Sequence, residues 1–260
     1  MRSLAACILS LLLASCGPDP SAPPRSDPWG DARYAPTAPR EGTSDERIRR
    51  AREHLQKDRF ADAAAEFREV AARDPKNVDA LEGLSQVAAR MGDGSSALNF
   101  ISRAVELRPE DAALINQRGI ALVMLQRRRE AAADFDRAIS VRPDDPLIHL
   151  NAALNRADLG EWRVAEEHAR KAAERMPHDA TPWLILGRLQ VRQGKFSDAV
   201  PPLQEAVRRA PKNAVINYHL GKALSSAGRR NEAETPLKAA LSGNPPPEIR
   251  QEVEGLLAGR

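Results

Sequence analysis

Few side chains in this sequence could do chemistry, and their spacing does not suit it. The two cysteines, Cys7 and Cys16, both fall in the first 16 of 260 residues. A thiol nucleophile, a thiolate metal site and a disulfide are thereby excluded from the rest of the chain. No two of the histidines His54, His149, His168, His178 and His219 stand four apart, the helical spacing that puts two imidazoles on one zinc ion. Gly194-Lys195 and Gly221-Lys222 lack the earlier glycine of a phosphate-binding loop, and neither H-E-x-x-H nor G-x-S-x-G occurs. Glu166-Glu167-His168 and Asp134 with Asp136 read as salt-bridged outer surface. The expectation is a protein that is no enzyme and has no cofactor, metal or small-molecule substrate.

Charge points away from nucleic acid as well. The 39 basic residues are interspersed with 36 acidic ones, for a net charge of +3, whereas a nucleic-acid surface clusters its basic groups. Arg127-Arg128-Arg129 is a lone cluster and reads as solvated surface.

Cys16 is the exception. Residues 1–15 combine a basic start at Arg2 with an apolar run from Leu4 to Leu13, too short for a mature membrane span but suited to a cleaved leader. Leu13-Ala14-Ser15-Cys16 resembles the lipobox of bacterial lipoproteins, which implies cleavage before Cys16 and a diacylglycerol on its thiol. Several acyl chains would hold the membrane where one binds only reversibly. From Gly17 to Gly42 there are seven prolines and few aliphatic residues, so segment 16–43 reads as a lipidated cysteine and a disordered tether. Extended, it reaches roughly 80 Å.

The element that must position everything else is a ladder of prolines. Pro75, Pro109, Pro143, Pro177, Pro211 and Pro245 follow one another at intervals of 34 residues. Two residues after the first five stand Asn77, Asp111, Asp145, Asp179 and Asn213. Proline cannot continue a helix, and Asn or Asp caps the start of the next. A fixed period of this length marks a helical solenoid. It divides residues 44–247 into 44–77, 78–111, 112–145, 146–179, 180–213 and 214–247, each with two helices. Gly92, Gly160, Gly194 and Gly228 mark the turn inside four of them. Ala63, Ala97, Ala131, Ala165, Ala199 and Ala233 recur in phase, with Phe67, Ile101, Phe135, Leu203 and Leu237 filling a large site nearby. Pro201, Pro202 and Pro236 read as early-turn residues of second helices, where a missing N–H costs little. Segment 248–260 reads as a capping helix, with Ile249, Val253, Leu256 and Leu257 on one stripe.

These residues carry a family resemblance. Trp183, Leu186, Gly187, Gly194, Ala199, Leu203, Ala206 and Pro211 fall where the tetratricopeptide repeat has its signature residues, and 44–247 resembles six such units. The resemblance implies an all-α, right-handed superhelical solenoid. The first unit departs most, with Arg47, Arg50 and His54 at usually apolar or aromatic places, as suits a terminal repeat facing solvent. The fourth departs at His149 and Ala169, with Trp162 expected to refill the space.

The resemblance also implies that the first helix of each unit lines a concave groove for a protein segment. Its groove positions fall on Asn116 and Gln117, then Leu147, Leu150, Asn151 and Leu154, then Arg188 and Arg192, then Tyr218, His219 and Lys222. Asn116 and Asn151 could bond an extended backbone, the leucines take an apolar anchor, and the cations meet a carboxylate. The two-carboxylate clamp of chaperone-binding members is missing: Ile48, Glu82 and Ile185 stand where it needs polar or basic groups. Leader, lipobox, tether and six units together resemble the pilotin lipoproteins of type IV pilus secretins. The expectation is a lipid-anchored, periplasm-facing scaffold, at the outer rather than the inner membrane, with an adaptor for a protease or peptidoglycan enzyme as the alternative.

Overall fold

A computed structural model describes residues 42–258. The leader, Cys16 and residues 17–41 of the tether lie outside them. Among the described residues there are thirteen helices and no strand. In chain order these are α1 (Ser44–Gln56), α2 (Phe60–Arg73), α3 (Val78–Arg90), α4 (Gly94–Leu107), α5 (Ala112–Met124), α6 (Arg128–Val141), α7 (Pro146–Asp158), α8 (Trp162–Arg175), α9 (Ala180–Arg192), α10 (Phe196–Arg209), α11 (Ala214–Ser226), α12 (Arg230–Ser242) and α13 (Pro247–Leu257). Odd-numbered helices open the repeats and even-numbered ones close them. No helix among the described residues is long and apolar enough to cross a membrane.

The proline ladder works by capping. Asn77, Asp111, Asp145, Asp179 and Asn213 each accept a backbone N–H from the first turn of the helix that follows. Thr43, ahead of the ladder, completes a reciprocal capping box with Glu46. Inside the repeats the chain turns through one residue of positive φ. Gly92, Gly160, Gly194 and Gly228 take it in four repeats, and Asp58 and Gln126 take it at φ 55° and 61° in the first and third.

Packing follows the small-and-large alternation read from the sequence. The phased alanines are all buried, and Phe67, Ile101, Phe135, Leu203 and Leu237 are the large buried knobs. Each knob needs a small partner opposite. A Cβ on Gly187 would meet Leu203 at 2.4 Å, and one on Gly221 would meet Leu237 at 2.5 Å. Gly255 holds the same place in α13, and nothing lies within 4 Å of the Cβ it lacks.

The described residues divide into two compact units after Asp134. In the first, α1 to α5 pack consecutively, and α1 also touches α3. In the second, α7 to α13 pack consecutively, and α7, α9, α11 and α13 touch one another in turn along one face.

Three expectations need correction. Arg47 does not face solvent: it is only 4 % exposed, and its guanidinium donates to Glu66 at 2.8 Å while Arg50 donates to the same carboxylate at 3.1 and 3.2 Å. His54 is buried too. Asp134 is buried rather than outward-facing, gripped by Arg118 through two hydrogen bonds of 2.7 and 2.5 Å. A first helix with arginine thus meets a second helix with an acid, which a surface reading of either residue misses. Pro201, Pro202 and Pro236 lie past the first helical turn, inside α10 and α12. The helices continue through them, with Pro202 and Pro236 buried. These two occupy the same repeat position as Glu66 and Asp134, so here a ring fills a space that a carboxylate occupies elsewhere.

Candidate partner-binding groove

The groove positions are set by helical phase: α7, α9 and α11 each present one stripe away from their own second helix. On α7, Leu147 is 37 % exposed and Asn151 and Leu154 are half-buried, so this helix offers an apolar ledge beside an amide. Leu150, at 4 % exposure, is a packing residue and offers almost no surface, which corrects its assignment as an anchor. In the first unit, Gln117 donates to Glu82 at 2.6 Å and Gln86 donates to the same oxygen at 3.0 Å. Asn116 and Gln117 are both part-exposed there, on α5.

The cations of the second unit differ in what answers their charge. Lys222 is bound to Glu252 of α13 at 2.5 Å and donates to the Tyr218 hydroxyl at 3.1 Å. Tyr218 in turn donates to the other Glu252 oxygen at 2.5 Å. Burial opposes the Lys222 charge, but Glu252 and the Tyr218 hydroxyl outweigh it and hold the ammonium above its ordinary range. Tyr218 is 5 % exposed, and burial together with Glu252 pushes its phenol up. Both residues therefore hold α13 in place, and neither offers a free group to a ligand, another correction. Arg192 sits 3.8 Å from Asp158 with its guanidinium over the Trp162 ring at 5.1 Å. Trp162 thus supports Arg192 instead of refilling the core of the fourth repeat.

Arg188 is different. It is half-buried on α9 and has no carboxylate partner among the described residues. Burial lowers its affinity for its proton, and the neighbouring Arg192 charge lowers it further. His219 shares this environment. Burial first, then the Arg188 and Lys222 charges, lower it to about 3, so its imidazole is neutral at ordinary pH. A cation removed from water without a counterion is costly and invites an anionic group. The arrangement can fix a carboxylate at Arg188, on a helix that touches α7. Among the described residues no group of three or more His, Cys, Asp or Glu side chains could hold a metal ion.

The sequence reading missed one contact. His149 on α7 and His168 on α8 meet with their Nδ1 atoms 2.9 Å apart. Their repeat positions are those of Arg47 and Glu66, and comparing repeats position by position would have found the pair.

Models of the tetratricopeptide repeat match residues 48–112, 116–180, 150–214 and 191–253, nearly the whole helical array. The chain belongs to the tetratricopeptide repeat family. Members are typically non-catalytic protein-interaction modules, and this chain is an interaction scaffold of that kind. Among solved tetratricopeptide structures, it is similar to PilW, described as a widely conserved type IV pilus biogenesis factor, with 21 % identity and a TM-score of 0.75 over 82 % of this chain and 99 % of that one. The Pseudomonas aeruginosa protein pilF matches with 18 % identity and a TM-score of 0.70, over 82 % and 96 %. YrrB, described as a tetratricopeptide protein with an unusual peptide-binding site, matches with 17 % identity and a TM-score of 0.59, over 74 % and 99 %. No curated protein matches the chain.

Proposed function

We propose that this protein is a lipid-anchored scaffold of the bacterial cell envelope, facing the periplasm, that holds a carboxylate-bearing protein segment against α7 and α9 and so helps assemble an envelope complex. The observation that carries the groove reading is Arg188, a half-buried cation with no carboxylate partner among the described residues. The segment's carboxylate would supply that partner through a charge-assisted hydrogen bond, and Leu147 and Leu154 would take an adjacent apolar side chain. Anchoring rests on Leu13-Ala14-Ser15-Cys16 and the proline-rich stretch behind it.

A role in type IV pilus or secretin assembly is favoured over an adaptor for a protease or wall enzyme, because PilW and pilF align over most of this chain and nearly all of their own length. The test is co-purification from detergent-solubilised envelopes with the wild-type chain and with Arg188→Ala. A secretin recovered with wild type and at least tenfold less with the variant supports the proposal. Equal recovery with both removes Arg188 from the site. A protease or wall hydrolase in the secretin's place overturns the pilus role.

A further inference from the structure

The fourth repeat contains a pair of side chains that the groove does not use. His149, 2 % exposed on α7, places its Nε2 2.8 Å from the Pro143 carbonyl oxygen and its Nδ1 2.9 Å from Nδ1 of His168 on α8. The ring centroids are 5.1 Å apart and tilted by 33°. A carbonyl only accepts, so Nε2 of His149 must carry a hydrogen. Neutral His149 then has a bare Nδ1, and the hydrogen between the rings belongs to His168. One proton arrangement fits this geometry.

That arrangement has a limited capacity for further protons. A first extra proton can go to Nε2 of His168, and the ring-to-ring hydrogen bond survives. A second must go to Nδ1 of His149, which already faces an N–H at 2.9 Å. Two donors and two positive rings would then confront each other, and the contact between α7 and α8 would break.

The corresponding contact in the first repeat is of another kind. Arg47 and Glu66, at the same two positions, attract each other as long as the carboxylate is ionised. In the second repeat the positions hold Leu81 and Phe100, which do not titrate. The third, fifth and sixth repeats have Ile115 and Asp134, Trp183 and Pro202, and Asn217 and Pro236 there, so of the six repeats the fourth alone places two imidazoles at these positions.

We propose that His149 and His168 form an acid-released latch between α7 and α8. The charges around His168 are Asp136 from α6, Glu167 and Lys171 from its own helix, and His149 across the contact. Burial, His149 and Lys171 act against its protonation, and Asp136 and Glu167 act for it, with the net effect downward. Asp136 is already paired with Arg156, which dilutes its help.

The test follows histidine titration by NMR and amide hydrogen exchange in the full chain from pH 7.5 to pH 4.5. Corrected for intrinsic rates, exchange in α7 and α8 should quicken between about pH 6 and pH 4.5 by at least tenfold more than in α9 and α10. The variant His149→Leu with His168→Phe, carrying the residues of the second repeat, should lose this acceleration. If that variant does not fold, His149→Arg with His168→Glu, carrying those of the first, provides the same comparison. No acceleration in the wild type, or equal acceleration in a folded variant, overturns the proposal.

Discussion

Tyr218 and Glu252 stand 34 residues apart, one repeat length, and the Tyr218 hydroxyl donates to the Glu252 carboxylate at 2.5 Å. The helix that carries Glu252 is thus in phase with the repeats before it and continues the face formed by α7, α9 and α11. Glu252→Gln should loosen α13 without unfolding the stack. The lost pairing with Lys222 is partly exposed and screened, so the cost is about 1 kcal/mol. Hydrogen exchange should quicken in α13 and stay unchanged in α7 to α10. Loss of protection throughout the second unit would show that α13 is more than a local lid.

Glu66 is the more consequential acid. Burial pushes its carboxyl up, but Arg50 and Arg47 outweigh burial and hold it below the usual carboxylate range. Glu66→Ala leaves Arg47 buried beside a void and should cost about 3–5 kcal/mol. Replacing Arg47, Arg50 and Glu66 together by Leu, Leu and Phe, the residues at 81, 84 and 100, should recover most of that. Denaturant unfolding of the three proteins decides it. A triple variant no more stable than Glu66→Ala would contradict the account.

Gly187 has no room for a methyl group, since Leu203 would lie 2.4 Å from it. Gly187→Ala should therefore destabilise by about 1–3 kcal/mol through overpacking, and adding Leu203→Ala should relieve part of the strain. Gly255→Ala is the control. With open space around its Cβ, it should be neutral or stabilise α13 by up to about 1 kcal/mol. Thermal unfolding of the three variants reads both effects.

His219 predicts an acid sensitivity that the His149–His168 pair does not share. Its folded-state pKa of about 3 lies below the ordinary histidine value, so between the two the unfolded chain binds more protons. Stability must then fall as pH drops through that window, by up to about 5 kcal/mol. His219→Leu should flatten the profile below about pH 6.5. An unchanged profile would place the acid sensitivity elsewhere.

Cys16→Ala should give a chain that takes up no labelled palmitate and stays a precursor. Label retained by the variant would show that Leu13-Ala14-Ser15-Cys16 does not direct acylation.

The scaffold was legible in the sequence because its determinants are local and repeated. An Asn or Asp cap, a turn glycine and a phased alanine each act within one helix pair, and their effect does not depend on distant residues. Side chains that meet across helices were harder to read. Arg47 and Asp134 look like surface until their partners Glu66 and Arg118 are in place, and burial then reverses the expectation. Lys222 looks available until α13 brings Glu252 to it. Arg188 remained a groove residue because no acid among the described residues reaches it. The group proposed to answer its charge lies on a partner, and one sequence does not contain that.

Gly187 and Gly221 are seats already taken by Leu203 and Leu237, whereas Gly255 is a seat left open. Among the described residues this face of α13 is marked by polarity and not by a filled space. Exposed Gln251 and Glu254 mark the face of α13 on which a further second helix would lie. Like a crystal face, α13 repeats the template before it, with polar side chains at the places where a further layer would attach.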